Sequence, residues 1–393
     1  MTKTTPEELA RRRFRAGSAY ELVVFDRLPP EERAPLAELG ADADFYGILK
    51  PRAETGRTIK VVGKDTALLW LTLQTPGPLP FFVWSGEPET AARAVTELVL
   101  DGVLEIEEGE RFLSGPAAAE LLLPRADAPP RGRLAELSLA ALRYGEGLRL
   151  DEPQRLAARL YGFGRQPVSP AWARRLSGRE AVLAFLGAAP ESPLRRRLEA
   201  GWESAADGDA PGWITWSPRQ PGRGRGSGNK AAYKLYVSPA VEALPAAFAA
   251  LVDHLADRGA VAFKVGADAA GLLRPDKLVL YFGALEELLA AASQLAERLS
   301  GLPPHGVPFS AEIDGDGLLS WGMDPPDGDR LLAWQERASW RLWVVRRLAA
   351  ALVAAQAEVA GGMAASQFAL ERLRREGVDV DRWTPSAALW QAA

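Results

Sequence analysis

Cysteine is absent from the 393-residue sequence, and histidine occurs only twice, as His254 and His305. The first absence removes disulfides, thiol nucleophiles and thiolate metal ligands. The second excludes a histidine-rich metal centre and leaves a Ser-His-Asp hydrolase few candidates. Long apolar runs are lacking too. No uninterrupted stretch reaches membrane-spanning length, and the start, MTKTTPEELARRRF, is charged and helix-forming rather than a secretory h-region. A soluble, cytoplasmic protein with no membrane partner is the expectation. The formal net charge of -4 argues against bulk nucleic-acid binding. Kinase signatures of the HRD and DFG type are missing, so any phosphorylated substrate must come from elsewhere.

Lysine is scarce, with eight residues against 39 arginines. Apart from Lys3, the lysines form two groups, Lys50, Lys60 and Lys64, then Lys230, Lys234, Lys264 and Lys277. None lies between residues 65 and 229 or after 277. Lysine can give up its proton when desolvated, whereas arginine cannot, so the second group marks a candidate reactive region.

What is present is an ordinary globular composition, 47% hydrophobic and 25% charged. The length predicts two or three domains. We expect an α+β protein with a winged-helix-like domain over 1–120, a helical linker region over 121–211 and an α+β domain over 212–393. In the first, residues 6–40 read as helical. Phe45–Leu49 and Thr58–Val62 read as strands, Thr66–Gln74 and Glu87–Leu100 as helices, and 103–113 as a small hairpin. This order is similar to the winged-helix recognition element of peptide-natural-product enzymes, a domain resembling the pyrroloquinoline-quinone chaperone family. The resemblance implies a leader peptide added as a strand to a sheet edge, with Tyr46, Ile48, Lys60 and Val62 as candidate peptide-binding residues. A winged helix serving only as packing is the alternative. Glu105, Glu107, Glu108 and Glu110 would repel phosphates at the wing and disfavour DNA. Residues 114–133 read as a linker rich in Ala, Pro and Arg.

From Gly212 the pattern alternates. Trp213–Trp216 is strand-like and exits into SPRQPGRGRGSGNK, where Arg223 and Arg225 stand among glycines. Such a loop suits a phosphate, because glycines admit backbone amides and arginines bind oxygens bidentately. A plain surface loop is the other reading, and the Walker and dinucleotide patterns are absent. Strands at 232–237, 261–265 and 277–282 and helices at 240–257 and 285–299 describe helices packed on a sheet. Strand parity sets Lys234 with Tyr236, opposite Tyr233, Leu235 and Val237, and turns Lys264 away from Phe263 and Val265. Trp321, Trp334, Trp340 and Trp343 accompany a helix expected over 331–356 and suit core packing.

YKLYVSP, FKVG, LRPDKLVLYF, HGVPFSAEI and LSWGMDP together resemble the HopA effector family and its relatives in lanthipeptide- and thioviridamide-type clusters. Arg274, Asp276 and Tyr281 match that family's R-x-D strand pattern, while Ser238 departs from a position usually held by an amide or acid. The resemblance covers roughly residues 212–350. It implies removal of phosphate from phosphorylated Ser or Thr of a precursor peptide to give dehydroamino acids, with a separate kinase as partner and no metal or cofactor. β-Elimination needs a base for the Cα proton and cations for the departing phosphate. Lys234 and Lys264 are the candidates for base and phosphate partner, in either order. Arg223, Arg225, Arg274 and Lys277 are candidate phosphate ligands, Asp276 a candidate orienting acid, and His305 a candidate proton donor or an ordinary loop residue. The alternative function is a non-catalytic precursor-binding partner of another enzyme.

Overall fold

In the computed structural model the described residues are 4–52, 58–124, 131–204, 212–219, 233–258, 261–325, 332, 335, 338–356 and 362–386. The architecture is mixed α+β. Its N-terminal module opens with strands where helix was expected. After the short helix Pro6–Ala10 come β1 (Arg13–Ala16) and β2 (Tyr20–Val24), then β3 (Phe45–Pro51) and β4 (Lys60–Gly63). The cause is tertiary. Phe14 and Ala16 alternate inward against partners Ile106 and Leu104, and the buried Glu105 carboxylate receives Arg15 Nε at 2.6 Å and Ser18 N at 2.9 Å. Those bonds turn the chain between β1 and β2, a constraint invisible in local helix propensity.

Two sheets result. β2, β3 and β4 form one antiparallel sheet, and β1 lies between β5 (Gly77–Pro78) and β6 (Leu104–Glu108), with β7 (Arg111–Leu113) outside. The helices Lys64–Thr72 and Pro88–Leu100 cover them through Leu69, Val95 and Val99. Part of the expected linker is also structured. Gly115–Leu122 is a helix whose Ala118, Ala119 and Leu122 are buried in that same core.

The central element is a seven-stranded sheet ordered β13-β14-β10-β12-β11-β9-β8. Its strands are β8 (Trp202–Ser204), β9 (Trp213–Pro218), β10 (Tyr233–Val237), β11 (Phe263–Gly266), β12 (Leu278–Phe282), β13 (Ala311–Ile313) and β14 (Leu319–Met323). One face is apolar. Leu235, Val237, Phe263, Leu278 and Leu280 pack there against Phe248 and Leu251 of the Leu244–Arg258 helix and Leu288 and Leu295 of the Leu285–Leu299 helix. Trp216 stacks on Phe263 at 4.8 Å between centroids. Segment 170–201, expected as linker, contributes Leu176, Leu183 and Leu198 to this core.

A helical layer approaches from the opposite side. The Arg133–Leu148, Pro153–Tyr161, Trp340–Gln356 and Ala365–Arg375 helices share a core around Trp340, Trp343 and Leu348. The tryptophans expected to pack do so: Trp340 and Trp343 stack at 5.8 Å, and Trp340 Nε1 donates to Phe309 O at 3.0 Å. Trp334 lies outside the described residues. Among the described residues no helix is long and apolar enough to cross a membrane.

Beyond Lys264, Gly266 ends β11 in close contact with Gly271. A Cβ built on Gly266 would sit 2.3 Å from the Gly271 carbonyl carbon. Gly266→Ala is therefore expected to cost about 1–3 kcal/mol through backbone displacement. A lowered urea midpoint with an unchanged slope would register it; an unchanged midpoint would refute the contact.

Candidate active site

The second face of the central sheet carries polar chemistry. Register decides which side chains share it. Lys234 of β10 stands opposite Tyr281 of β12, Lys264 of β11 opposite Val279, and Thr215 of β9 opposite Lys264. Because Val279 and Tyr281 are two residues apart on β12, both lysines emerge on one face, with β12 between them. Tyr236, Val279 and Val307 form a small apolar floor beside them, with Trp213 and Tyr281 against it.

The two lysines are held differently. Lys234 Nζ forms an ion pair with Asp324, whose other oxygen accepts from Trp340 N at 3.0 Å. Among the described residues Lys264 has no carboxylate within ion-pair distance. Its Nζ sits 4.1 Å from the centre of the Trp213 ring and 5.7 Å from that of Tyr281. Burial, then the neighbouring Lys234 charge, lowers its pKa to about 8, with Asp276 opposing. On this face, then, Lys264 is the cation placed to release its proton near neutrality.

Arg274, in the turn before β12, completes the cationic face. It spends its fork on Asp276, with Nε to Oδ1 at 2.5 Å and Nη2 to Oδ2 at 2.9 Å. Its Cζ lies 4.8 Å from the Trp213 ring centre. Asp276 itself is a hub. Tyr161 donates its hydroxyl to Oδ2 at 3.0 Å, and Arg341 Nη1 stands 2.9 Å from the same oxygen, at an angle too poor for a hydrogen bond. Burial alone would raise the Asp276 pKa, but the Arg341 and Arg274 charges and the donated bonds more than offset it and hold the carboxyl well below its ordinary range. Arg341 is buried, donating Nε to Pro308 O at 3.0 Å and Nη2 to Tyr161 O at 3.1 Å. Its guanidinium therefore fixes Asp276 rather than facing a ligand.

Lys277 and His305 are brought together in a pair of their own. Lys277 is completely buried; its Nζ donates to Pro239 O at 2.8 Å and lies 2.7 Å from His305 Nδ1. His305 Nε2 is 2.6 Å from Gly164 O, so the ring carries its proton on Nε2 and accepts through Nδ1. Burial lowers the Lys277 pKa to about 7, and burial with the Lys277 charge lowers that of His305 to about 4. The pair pins the 162–166 turn to the sheet, and neither is positioned as a phosphate ligand or acid. Arg223 and Arg225 lie outside the described residues. In the N-terminal module, Ile48 and Val62 are core side chains, Tyr46 is half-buried, and Lys60 pairs with Asp101 at 3.4 Å.

Sequence reasoning gave no role in this site to Tyr161, Arg341, Trp213 or Asp324. One signal was available for Arg341, a lone charge within the apolar run WRLWVV. Tyr161 arrives from a helix over a hundred residues away in sequence and has no local mark.

No protein-family model matches the chain, and no curated protein does. Solved structures do match. They include the effector protein from Pseudomonas syringae pv. tomato strain DC3000, at 14% identity and TM-score 0.40 over 64% of this chain and 98% of that one. The effector from Pseudomonas syringae pv. syringae strain 61 gives 14%, 0.38, 65% and 100%. The phosphothreonine lyase OspF from Shigella flexneri gives 16%, 0.27, 43% and 89%.

The hub makes a stability prediction. With its pKa depressed in the folded state, Asp276 stabilises the protein fully above about pH 4, its unfolded value. That contribution fades as pH falls further, toward the folded pKa. Asp276→Asn leaves Arg341 and Arg274 uncompensated and should cost about 3–5 kcal/mol at pH 7. Denaturant unfolding at pH 7 and pH 3 should show the two proteins converging at the lower pH; a constant gap would contradict the linkage.

Proposed function

We propose that this chain eliminates phosphate from phosphorylated Ser or Thr in a precursor peptide, leaving dehydroamino acids, as a step in peptide natural-product maturation. The observation that carries the reading is the division of labour on the sheet face. One lysine with a lowered pKa and no carboxylate partner, Lys264, stands beside two cations, Lys234 and Arg274.

Neutral Lys264 takes the Cα proton. The electron pair of that C–H bond forms the Cα=Cβ double bond as the Cβ–O bond breaks, and phosphate departs with the bonding pair. Lys234 and Arg274 neutralise the phosphate charge as it leaves. Asp324 is the resting counter-ion of Lys234, to be exchanged for phosphate, and Asp276 with Tyr161 sets the plane of Arg274. The short motifs resembling the HopA family fall on these same strands, which favours lyase chemistry over other uses of a phosphate site. The phosphorylated peptide would come from a separate kinase.

For the N-terminal module we propose leader-peptide recognition by a winged-helix-like element. The support is the outer edge of β4, which among the described residues pairs only with β3, and a cavity of about 260 Å³ beside it, walled by Lys60, Asp101, Phe368 and Arg372. With Ile48 and Val62 buried, the peptide would be held by main-chain pairing to β4 rather than by those side chains.

Incubation with a phosphorylated peptide should yield product lighter by one phosphoric acid in the mass spectrum. Lys264→Ala should lower kcat by about 10²–10⁴-fold, and Lys234→Ala, which removes a charge stabilising the departing phosphate, should lower kcat by about 10²–10³-fold. The wild-type rate should rise with pH through about 8, as Lys264 deprotonates. Phosphopeptide that binds tightly but survives unchanged would replace this reading with a non-catalytic precursor-binding role.

A further inference from the structure

β9 places two side chains around Lys264 that the elimination itself does not use. Trp213 offers its ring face to Nζ at 4.1 Å. Thr215 lies directly across the β9–β11 pair from Lys264, on the same face. Its hydroxyl is buried and makes no hydrogen bond. A buried hydroxyl without a partner is costly, and such orphans invite an explanation. A general base, for its part, must rest stably in two charge states. An ammonium is attracted to an indole face, whereas a neutral amine offers a lone pair that an indole face does not satisfy.

We propose that Trp213 and Thr215 are positioning residues that form a two-state seat for Lys264: the indole holds the ammonium, and the Thr215 hydroxyl donates to the neutral amine. The geometry of the structure is that of the first state, with Nζ over the ring and the hydroxyl without a partner. Deprotonation removes the attraction to Trp213 and creates an acceptor for Thr215 Oγ1, a group already at hand. The seat thereby keeps the amine on the site face whichever form it takes. The inference rests on the reading of Lys264 as the base. Other charged or titratable groups facing Lys264 are Lys234 from β10, Arg274 and Asp276 from the turn before β12, Tyr281 from β12, and Asp324 after β14. They contribute to its titration and sit on other elements; Arg274 alone also meets the Trp213 ring, 4.8 Å away, and its two bonds to Asp276 hold it when the ring is removed.

The test reads Lys264 itself rather than turnover. In protein carrying ¹³Cε-labelled lysine, the Lys264 resonance is assigned by its loss in Lys264→Arg and titrated by NMR. Trp213→Leu keeps the site apolar but removes the ring, and should lower the Lys264 pKa by about half a unit, a roughly threefold loss of proton affinity. Trp213→Phe should recover part of that shift and serves if the Leu variant does not fold. Thr215→Val removes only the hydroxyl and should raise the pKa by about the same amount. Opposite signs in the two variants support the seat. A downward shift in Thr215→Val would mean that the hydroxyl serves the ammonium, and an unchanged pKa in both folded variants would mean that β9 merely packs; each overturns the proposal. If the shifts appear as expected while the wild type leaves phosphopeptide intact, the lyase reading fails and the seat stands.

Discussion

The Asp276 carboxylate is the constraint on which the rest of the site depends. It is reached by Arg274 from its own turn, by Tyr161 from the Pro153–Tyr161 helix and by Arg341 from the Trp340–Gln356 helix. One group thus ties the central sheet to two helices of the layer above it. A buried ionic hub of this kind adds little net stability over an apolar packing, because desolvation offsets the attraction. What it supplies is geometry. Without it Arg274 would lose the fork that sets its plane, and the Tyr161 hydroxyl would lose its acceptor. Asp276 explains why a charge sits within the apolar run WRLWVV: Arg341 is its structural counter-ion.

Three lysines close together in sequence acquire three different roles from their surroundings. Lys234 meets a carboxylate, Lys264 meets aromatic faces and a like charge, and Lys277 meets a carbonyl and a histidine nitrogen in the dry interior. The side chains are chemically identical, so the partners alone set the different charge environments on which the proposed roles of counter-charge, base and strut rest. His305 follows the same logic. Its depressed pKa and paired nitrogens make it the acceptor for a buried lysine, and the turn after the Pro153–Tyr161 helix is held in place by the result.

The N-terminal module is joined to the helical layer by charge. Arg372 contacts Glu97 at 2.5 Å and Asp101 at 2.8 Å, Arg375 also pairs with Glu97, and Arg347 lines the same cavity as Lys60 and Asp101. The Trp340–Gln356 helix therefore carries Arg341 at the site and Arg347 near the module, about 9 Å apart along its axis at the usual rise. The same helix orders the chemistry and meets the module proposed to receive the peptide.

Strand parity is a local property, and for that reason the sequence alone determined that Lys234 and Lys264 face away from the apolar residues beside them. It also determined that tryptophans near 340 pack, and that helices cover one side of a sheet, since apolar spacing reports burial directly. The strands at Arg13–Val24 were not legible, because an arginine-rich run with good helix propensity became strand only through Phe14, Ala16 and their partners across β6. Nor was the order of the two lysines. That rests on Asp324 and Trp213, contacts made across strands whose neighbours only the folded sheet defines. The lysine cluster pointed to the place; the partner each amine meets in three dimensions sets the electrostatics on which its proposed role rests.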